Sequence, residues 1–277
     1  MSLLIKPNAT PSPEIINITP QSAGWDTISM TVVRLKHSQT YDVTLLGEEA
    51  VVVVLGGKVG VASGAGSWSG LGGRKDVFSG MPWTLYLPLN ATATITGETA
   101  DAEVAVCRCR ASRIFPAKLM RPEEVPVEIR GGENATRQIN NMVLPDFPAD
   151  RILVVEVYTP SGNWSSYPPH KHDAHNPPGE VDLDEIYFYK INKPEGYAIQ
   201  RLYTADGSRD ETYVVRNNEA ILVKDGYHPV VAAHGYDCYY LNVLGGSARS
   251  LAASDDPQYA WIRQEWRTKD PRLPMVR

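Results

Sequence analysis

Cysteine is scarce in this chain, three in 277 residues, and the shortage removes one class of architecture at once. Cys107, Cys109 and Cys238 are too few for the disulfide framework that holds small secreted domains together. Cys107 and Cys109 alternate along an apparent strand, but no further Cys or His pair completes a structural zinc site. Reduced core cysteines in a cytoplasmic protein are expected, where the Asn-x-Ser/Thr triplets at Asn8, Asn90, Asn134 and Asn163 carry no glycosylation. Long apolar runs are missing as well: none approaches the ~20 residues that cross a bilayer. Met1–Pro7 has an apolar triplet but no basic region ahead of it, and does not read as a signal peptide. Excess positive charge is absent too, with 27 Lys and Arg against 32 Asp and Glu. The net charge of −5 excludes a dominant basic surface for nucleic acid and leaves room for a small acidic substrate.

What the chain does have is a succession of short β-branched runs between glycine- and proline-containing turns. Ser29–Lys36, Tyr41–Leu46, Ala50–Leu55, Lys58–Ala62, Trp83–Leu87, Ala91–Thr96 and Glu103–Arg110 form a first series. Gly56-Gly57, between two valine runs, reads as a hairpin turn because glycine accepts positive φ. A second series holds Arg137–Val143, Ile152–Tyr158, His170–His172, Glu185–Lys190, Tyr197–Tyr203, Glu211–Val215, Glu219–Val223 and Cys238–Leu244. Between the two series lie Pro116, Pro122, Pro126 and Gly131-Gly132, which read as a linker. The pattern predicts an all-β protein of two tandem sandwich or barrel domains, 1–111 and 136–277, joined by residues 112–135. Asp256-Pro257 then offers an N-cap and a first-turn proline, predicting a short helix to about Arg267 with one side packed on the body.

The residues that speak about chemistry lie in the second series. His170 and His172 are two apart, so on a strand both imidazoles face one point while Lys171 faces away. Glu185 opens Glu185-Ile186-Tyr187-Phe188-Tyr189, where alternation places Glu185, Tyr187 and Tyr189 on one face. A carboxylate on such a face is costly to bury without a cation or a salt-bridge partner. His228 closes an apolar run and is a further donor; His175 and His234 are competitors from loop-like contexts, and His37 stands alone. Gly64–Gly70 has the wrong spacing for a nucleotide-binding loop and reads as a mobile hairpin connection. No Gly-x-Ser-x-Gly elbow or Cys–His pair supports a nucleophilic enzyme.

Taken together, Tyr167–Asp173, Asp184–Tyr189, Gly226–Val230 and Tyr239–Val243 resemble the metal site of the cupin superfamily. In more detail they resemble the 5-deoxy-glucuronate isomerase family of inositol catabolism, related to the pectin-pathway uronate ketol-isomerases. The resemblance spans essentially the whole chain and is most specific in its second half. It implies a bicupin with an N-terminal domain lacking ligands and a C-terminal domain holding one divalent ion. The implied ligands are His170, His172, Glu185 and His228, the last preferred to His234 because Gly226-Tyr227-His228-Pro229 matches the family. His172 and Glu185 stand further apart than in the usual cupin motif, which makes 173–184 an insertion.

The ion is zinc-like, although manganese, iron, cobalt and nickel suit the same donors. The implied activity converts 5-deoxy-glucuronate to 2-deoxy-5-keto-gluconate through a metal-stabilised enediolate. Tyr187, Tyr189 and Tyr240 are the proton-carrying candidates by strand parity, with Tyr187 and Tyr240 preferred, and Arg201 is the candidate for the substrate carboxylate. A uronate partner is implied, with no nucleic acid or membrane, and assembly into homo-oligomers through sheet edges. Two rival readings use the same fold: a non-catalytic sugar-binding or regulatory bicupin, and an iron-dependent oxygenase.

Overall fold

The computed structural model describes residues 2–10 and 12–277, and these form two compact β units. One unit gathers residues 7–126, 142–154 and 276–277; the other gathers residues up to 6, 127–141 and 155–275. The expected linker is not structureless. Lys118–Met120 pairs with Thr84–Leu87 in the first unit, and Val127–Arg130 pairs with Arg137–Val143 in the second.

In the first unit a six-stranded sheet runs, edge to edge, through 118–120, 84–87, 48–56, 102–110, 28–35 and 14–18. A four-stranded sheet runs through 40–44, 92–97, 58–63 and 66–72. Alternation along Glu48–Gly56 and Ala102–Arg110 turns Val52, Val54, Val104 and Val106 inward, where they meet Val43, Val59, Val61 and Ile95. Gly56-Gly57 differs from expectation. It joins strands of different sheets, so it is a corner and not a hairpin turn. Gly57 has φ +73, and a Cβ there would stand 2.5 Å from Thr99 Oγ1, so only glycine fits the corner. The glycine-rich stretch expected to be a mobile connection instead contains the strand Gly66–Gly72, paired with Lys58–Ser63.

In the second unit a seven-stranded sheet runs through 4–5, 220–223, 183–191, 238–246, 153–159, 137–143 and 127–130. A four-stranded sheet of 164–165, 230–232, 198–203 and 210–215 accompanies it, with a small ribbon of His170–Lys171 and Ser254–Asp255. The antiparallel register Glu185↔Leu244, Tyr187↔Asn242 and Tyr189↔Tyr240 sets one row of side chains beside another on the same face. The tail is less helical than expected. Asp256 opens only a turn, its carbonyl accepting from Tyr259 N at 3.0 Å, and the helix proper is Ile262–Glu265. Asp256 Oδ2 instead accepts the Tyr203 hydroxyl at 2.6 Å, and Trp261 remains exposed while Trp266 covers Gly132. No helix among the described residues is long and apolar enough to cross a membrane.

Candidate metal centre

His170 opens its two-residue strand opposite Asp255, and Lys171 turns away to bind Asp173 at 2.5 Å and Glu180 at 2.8 Å. His172 follows, held by a Nδ1 hydrogen bond to Leu183 O at 2.9 Å. His228 is held in the same manner, Nδ1 to Gly226 O at 3.0 Å. Gly226 has φ +77, and a Cβ there would lie 2.5 Å from Tyr203 O, so the turn that aims His228 requires glycine. A carbonyl oxygen only accepts. Both rings therefore carry hydrogen on Nδ1 and turn the lone pair of Nε2 into the site, the tautomer a metal ligand needs.

The three imidazoles converge. Their ligating atoms all lie within 4.8 Å of one another, and the ring centroids of His170 and His172 are 4.7 and 4.9 Å from that of His228. Glu185 Oε2 stands 3.0 Å from His172 Nε2 and 3.5 Å from His228 Nε2, while Oε1 accepts from Asn242 Nδ2 at 2.6 Å. Acceptors thus face acceptors across a buried point. One proton can sit between Glu185 and His172, but His228 Nε2 is buried and has no hydrogen-bond partner among the described residues. Neutral imidazoles and one carboxylate arranged in this way fit a divalent cation.

The electrostatics agree. Burial, then His172, pushes His228 down to about 3. Burial, then His228 and His172, holds His170 well below the ordinary histidine value, although part of it is reached from the cavity. Both are neutral at physiological pH, the form that ligates. Burial opposes a charged His172 as well, but the Glu185 hydrogen bond and charge outweigh it and raise its pKa. Burial raises Glu185 despite His172.

A cavity opens beside these residues. Its walls come from alternate positions of neighbouring strands: Glu185 and Tyr187; Tyr240, Asn242 and Leu244; Val155 and Val157; Arg137, Ile139 and Asn141. Tyr187 and Tyr240 have ring centroids 4.9 Å apart. Ser166 Oγ lies 3.1 Å from the Tyr187 hydroxyl, and Ser165 Oγ is hydrogen-bonded to that of Tyr240. Burial raises the pKa of both phenols, in Tyr187 with help from Glu185, so both stay protonated at neutral pH. Tyr189 is engaged elsewhere, donating to Gln200 Oε1 at 2.8 Å.

Among the competing histidines, His234 is exposed, and His175 is exposed with Nδ1 2.7 Å from Ser247 Oγ. Arg201 must be corrected. On Ala198–Tyr203 it is Ala198, Gln200 and Leu202 that turn inward, so Arg201 faces out. Its Nε and Nη2 bind Asp210 Oδ1 and Oδ2, each at 2.7 Å, and it does not line the cavity. Polar cavity residues that the sequence did not disclose include Arg137, Ser165, Ser166 and Asn242. Asn242 sat in the quoted Tyr239–Val243 run, and its alternation with Tyr240 was the available signal.

Comparison with known proteins accords with this geometry. The model of the KduI/IolB family matches residues 3–262. A protein of Geobacillus kaustophilus (strain HTA426) named 5-deoxy-glucuronate isomerase is 44% identical over 267 residues, covering 95% of this chain and 96% of its own. One of the same name from Listeria monocytogenes serovar 1/2a (strain EGD-e) is 39% identical, covering 85% of this chain and 87% of its own. Among solved structures, an IolB-like protein from Salmonella typhimurium LT2 superposes with TM-score 0.91 at 36% identity, over 95% of this chain and 99% of its own. Oxalate decarboxylase from Bacillus subtilis, at 14% identity and TM-score 0.59 over 86% of this chain and 73% of its own, is similar in fold. With this architecture, and a family match across most of its length, the chain belongs to the KduI/IolB family.

Proposed function

We propose that this chain acts as an aldose–ketose isomerase, converting 5-deoxy-glucuronate to 2-deoxy-5-keto-gluconate in myo-inositol degradation. The site is a divalent metal centre of His170, His172, Glu185 and His228. The observation that carries the reading is the convergence of three imidazoles on Glu185, with His228 Nε2 unpartnered among the described residues, in a chain whose relatives bear that enzyme's name. The free, buried cysteines at 107, 109 and 238 accord with a cytoplasmic setting.

When bound, the ion supplies a Lewis-acid charge against which a substrate carbonyl is polarised. The rest falls to the protein. Asn242 fixes the Glu185 carboxylate, and the carbonyls of Leu183 and Gly226 fix His172 and His228. Isomerisation moves one proton between adjacent carbons and another between their oxygens. Tyr187 and Tyr240, protonated and oriented by Ser166 and Ser165, can lend a hydrogen to a substrate oxygen and receive it back. Ile139, Val155, Val157 and Leu244 make the wall apolar, which strengthens those hydrogen bonds.

The test is product formation from 5-deoxy-glucuronate, followed by NMR, with metal-loaded protein, chelated protein and chelated protein resupplied with metal. Turnover lost on chelation and regained on resupply is expected. No product from loaded protein would overturn the reading, and equal turnover in all three would remove the metal from it.

A further inference from the structure

We propose that Arg137 is the residue that receives the substrate's carboxylate, so that the cavity selects uronates over the corresponding neutral aldoses. The inference rests on the isomerase reading and adds the group that recognises the acid. Arg137 stands on Arg137–Val143, on the cavity face with Ile139 and Asn141, and is 4% exposed. Its only hydrogen bonds among the described residues run from Nη1, to Ala135 O at 3.1 Å and Tyr167 O at 3.3 Å. No carboxylate of the described residues lies within ion-pair distance. A guanidinium has five N–H donors in a planar fork. Two carbonyls anchor one nitrogen, and Nε and Nη2 remain for a bidentate acid.

The anchoring is built into the backbone. Gly131 has φ +85, and a Cβ there would come 2.0 Å from Ala135 O and 2.7 Å from Arg137 Nη1. Glycine is thus required where the guanidinium seats itself. Burial lowers Arg137 to about 10, which still leaves it charged at neutral pH, and its charge is felt at His170, Tyr187 and Tyr240. A buried cation without an anion is costly, and the cost is removed when an anionic ligand enters. The other cation lining this cavity does not offer the same. Arg130 is already bound to Glu128 through Nε at 2.7 Å and Nη2 at 2.8 Å.

The experiment compares wild type, Arg137→Lys and Arg137→Gln on 5-deoxy-glucuronate and on its carboxamide. Arg137→Gln is expected to raise KM for the acid about 100-fold with a smaller loss in kcat, and to leave the carboxamide within about threefold. Arg137→Lys should recover part of the preference for the acid, since it restores the charge without the fork. Equal losses on both substrates, or an unchanged KM for the acid, would overturn the assignment. Calorimetric binding of the C1-reduced acid, which cannot isomerise, separates this idea from the reaction itself. Weakening of about 100-fold in Arg137→Gln supports Arg137 whether or not the protein turns over. Unchanged binding alongside normal turnover removes Arg137 and leaves the isomerase standing. Should Arg137→Gln fail to fold, the acid-to-carboxamide preference of Arg137→Lys decides: an unaltered preference overturns the proposal.

Discussion

Each unit combines a larger antiparallel sheet with a four-stranded one, around opposite interiors. In the first, the inward positions are Val52, Val54, Val104, Val106 and Ile95, all buried and all aliphatic. In the second, corresponding alternation on the central strands presents Glu185, Tyr187, Tyr240 and Asn242. Pleat and ladder are indifferent to which residues fill the inward row, so a β sandwich can carry chemistry there when other surfaces hold it together. Two buried glutamates, Glu49 in the first unit and Glu185 in the second, make the contrast sharper. Glu49 accepts from the backbone nitrogens of Asp150, Arg151 and Ile152 at 2.8, 2.6 and 2.8 Å, and from the Tyr86 hydroxyl at 2.7 Å. Glu185 instead faces the Nε2 atoms of His172 and His228. One carboxylate is complete within the protein; the other is complete only with a cation.

Changing the polar interior should show the largest effect. His172→Ala is expected to lower turnover by about 10³-fold or more, equivalent to about 4 kcal/mol of barrier. Metal content, read by elemental analysis, should fall with it, while the circular dichroism spectrum stays that of the wild type. Retained metal together with retained turnover would show that the imidazole cluster is not the working centre.

Next comes the exchange of the two glutamates. Glu49→Leu strips the acceptor from three backbone N–H groups, at about 1–3 kcal/mol each, so a loss of at least about 3 kcal/mol is expected in urea unfolding. Glu185→Leu, compared with wild type in chelator, should cost about half as much or less, because it also removes the crowding of acceptors. It should nevertheless abolish metal-dependent turnover. If the two substitutions destabilise equally, the contrast between a structural and a ligating carboxylate fails.

How far this contrast was legible in the sequence depends on what local pattern can carry. The pairing of Glu185 with Tyr187 on one face is a period-two statement, and the strand Leu183–Ile191 keeps it. Arg137–Val143 occupies the expected limits, but Arg-Gln-Ile-Asn-Asn-Met-Val has polar residues on both faces, so parity alone did not point Arg137 inward. Nothing local in the sequence announces that Glu49 is buried; only the return of residues 150–152 to it, about a hundred positions later, supplies its donors. The corner at Gly57 and the strand Gly66–Gly72 fall in the same category. Glycine announces a change of direction without saying which strand is met next, and a strand of Gly, Ser and Trp lacks the β-branched signature.

A smaller effect separates the first unit by pH. Asp150 is buried, which by itself would raise its pKa, but hydrogen bonds from Ser112 N, Arg113 Nε and Arg113 N outweigh burial and hold it at about 2. A carboxyl depressed in the folded state stabilises above its unfolded value of about 3.9, and that contribution disappears as pH falls toward 2. The difference in unfolding free energy between wild type and Asp150→Asn should therefore be about 2 kcal/mol greater at pH 6 than at pH 2. A difference independent of pH would mean that the hydrogen bonds, not the charge, do the stabilising.

Arg201→Ala should show the smallest effect of all. The Arg201–Asp210 pair leaves 39% and 55% of its side chains exposed, in the range where such pairs contribute only about 0.2–1 kcal/mol. Arg201 also lies over the Tyr203 ring, 4.1 Å from its centroid, which adds a contact that water screens in the same way. Because it faces away from the imidazoles, its loss should leave both KM and kcat for the uronate within about twofold. The measurement separates two arginines that composition alone cannot rank. Arg201 has its anion on the surface, whereas Arg137 has none among the described residues. A large rise in KM on removing Arg201, with Arg137→Gln unaffected, would reverse that order and relocate recognition of the acid to the outer face of Ala198–Tyr203.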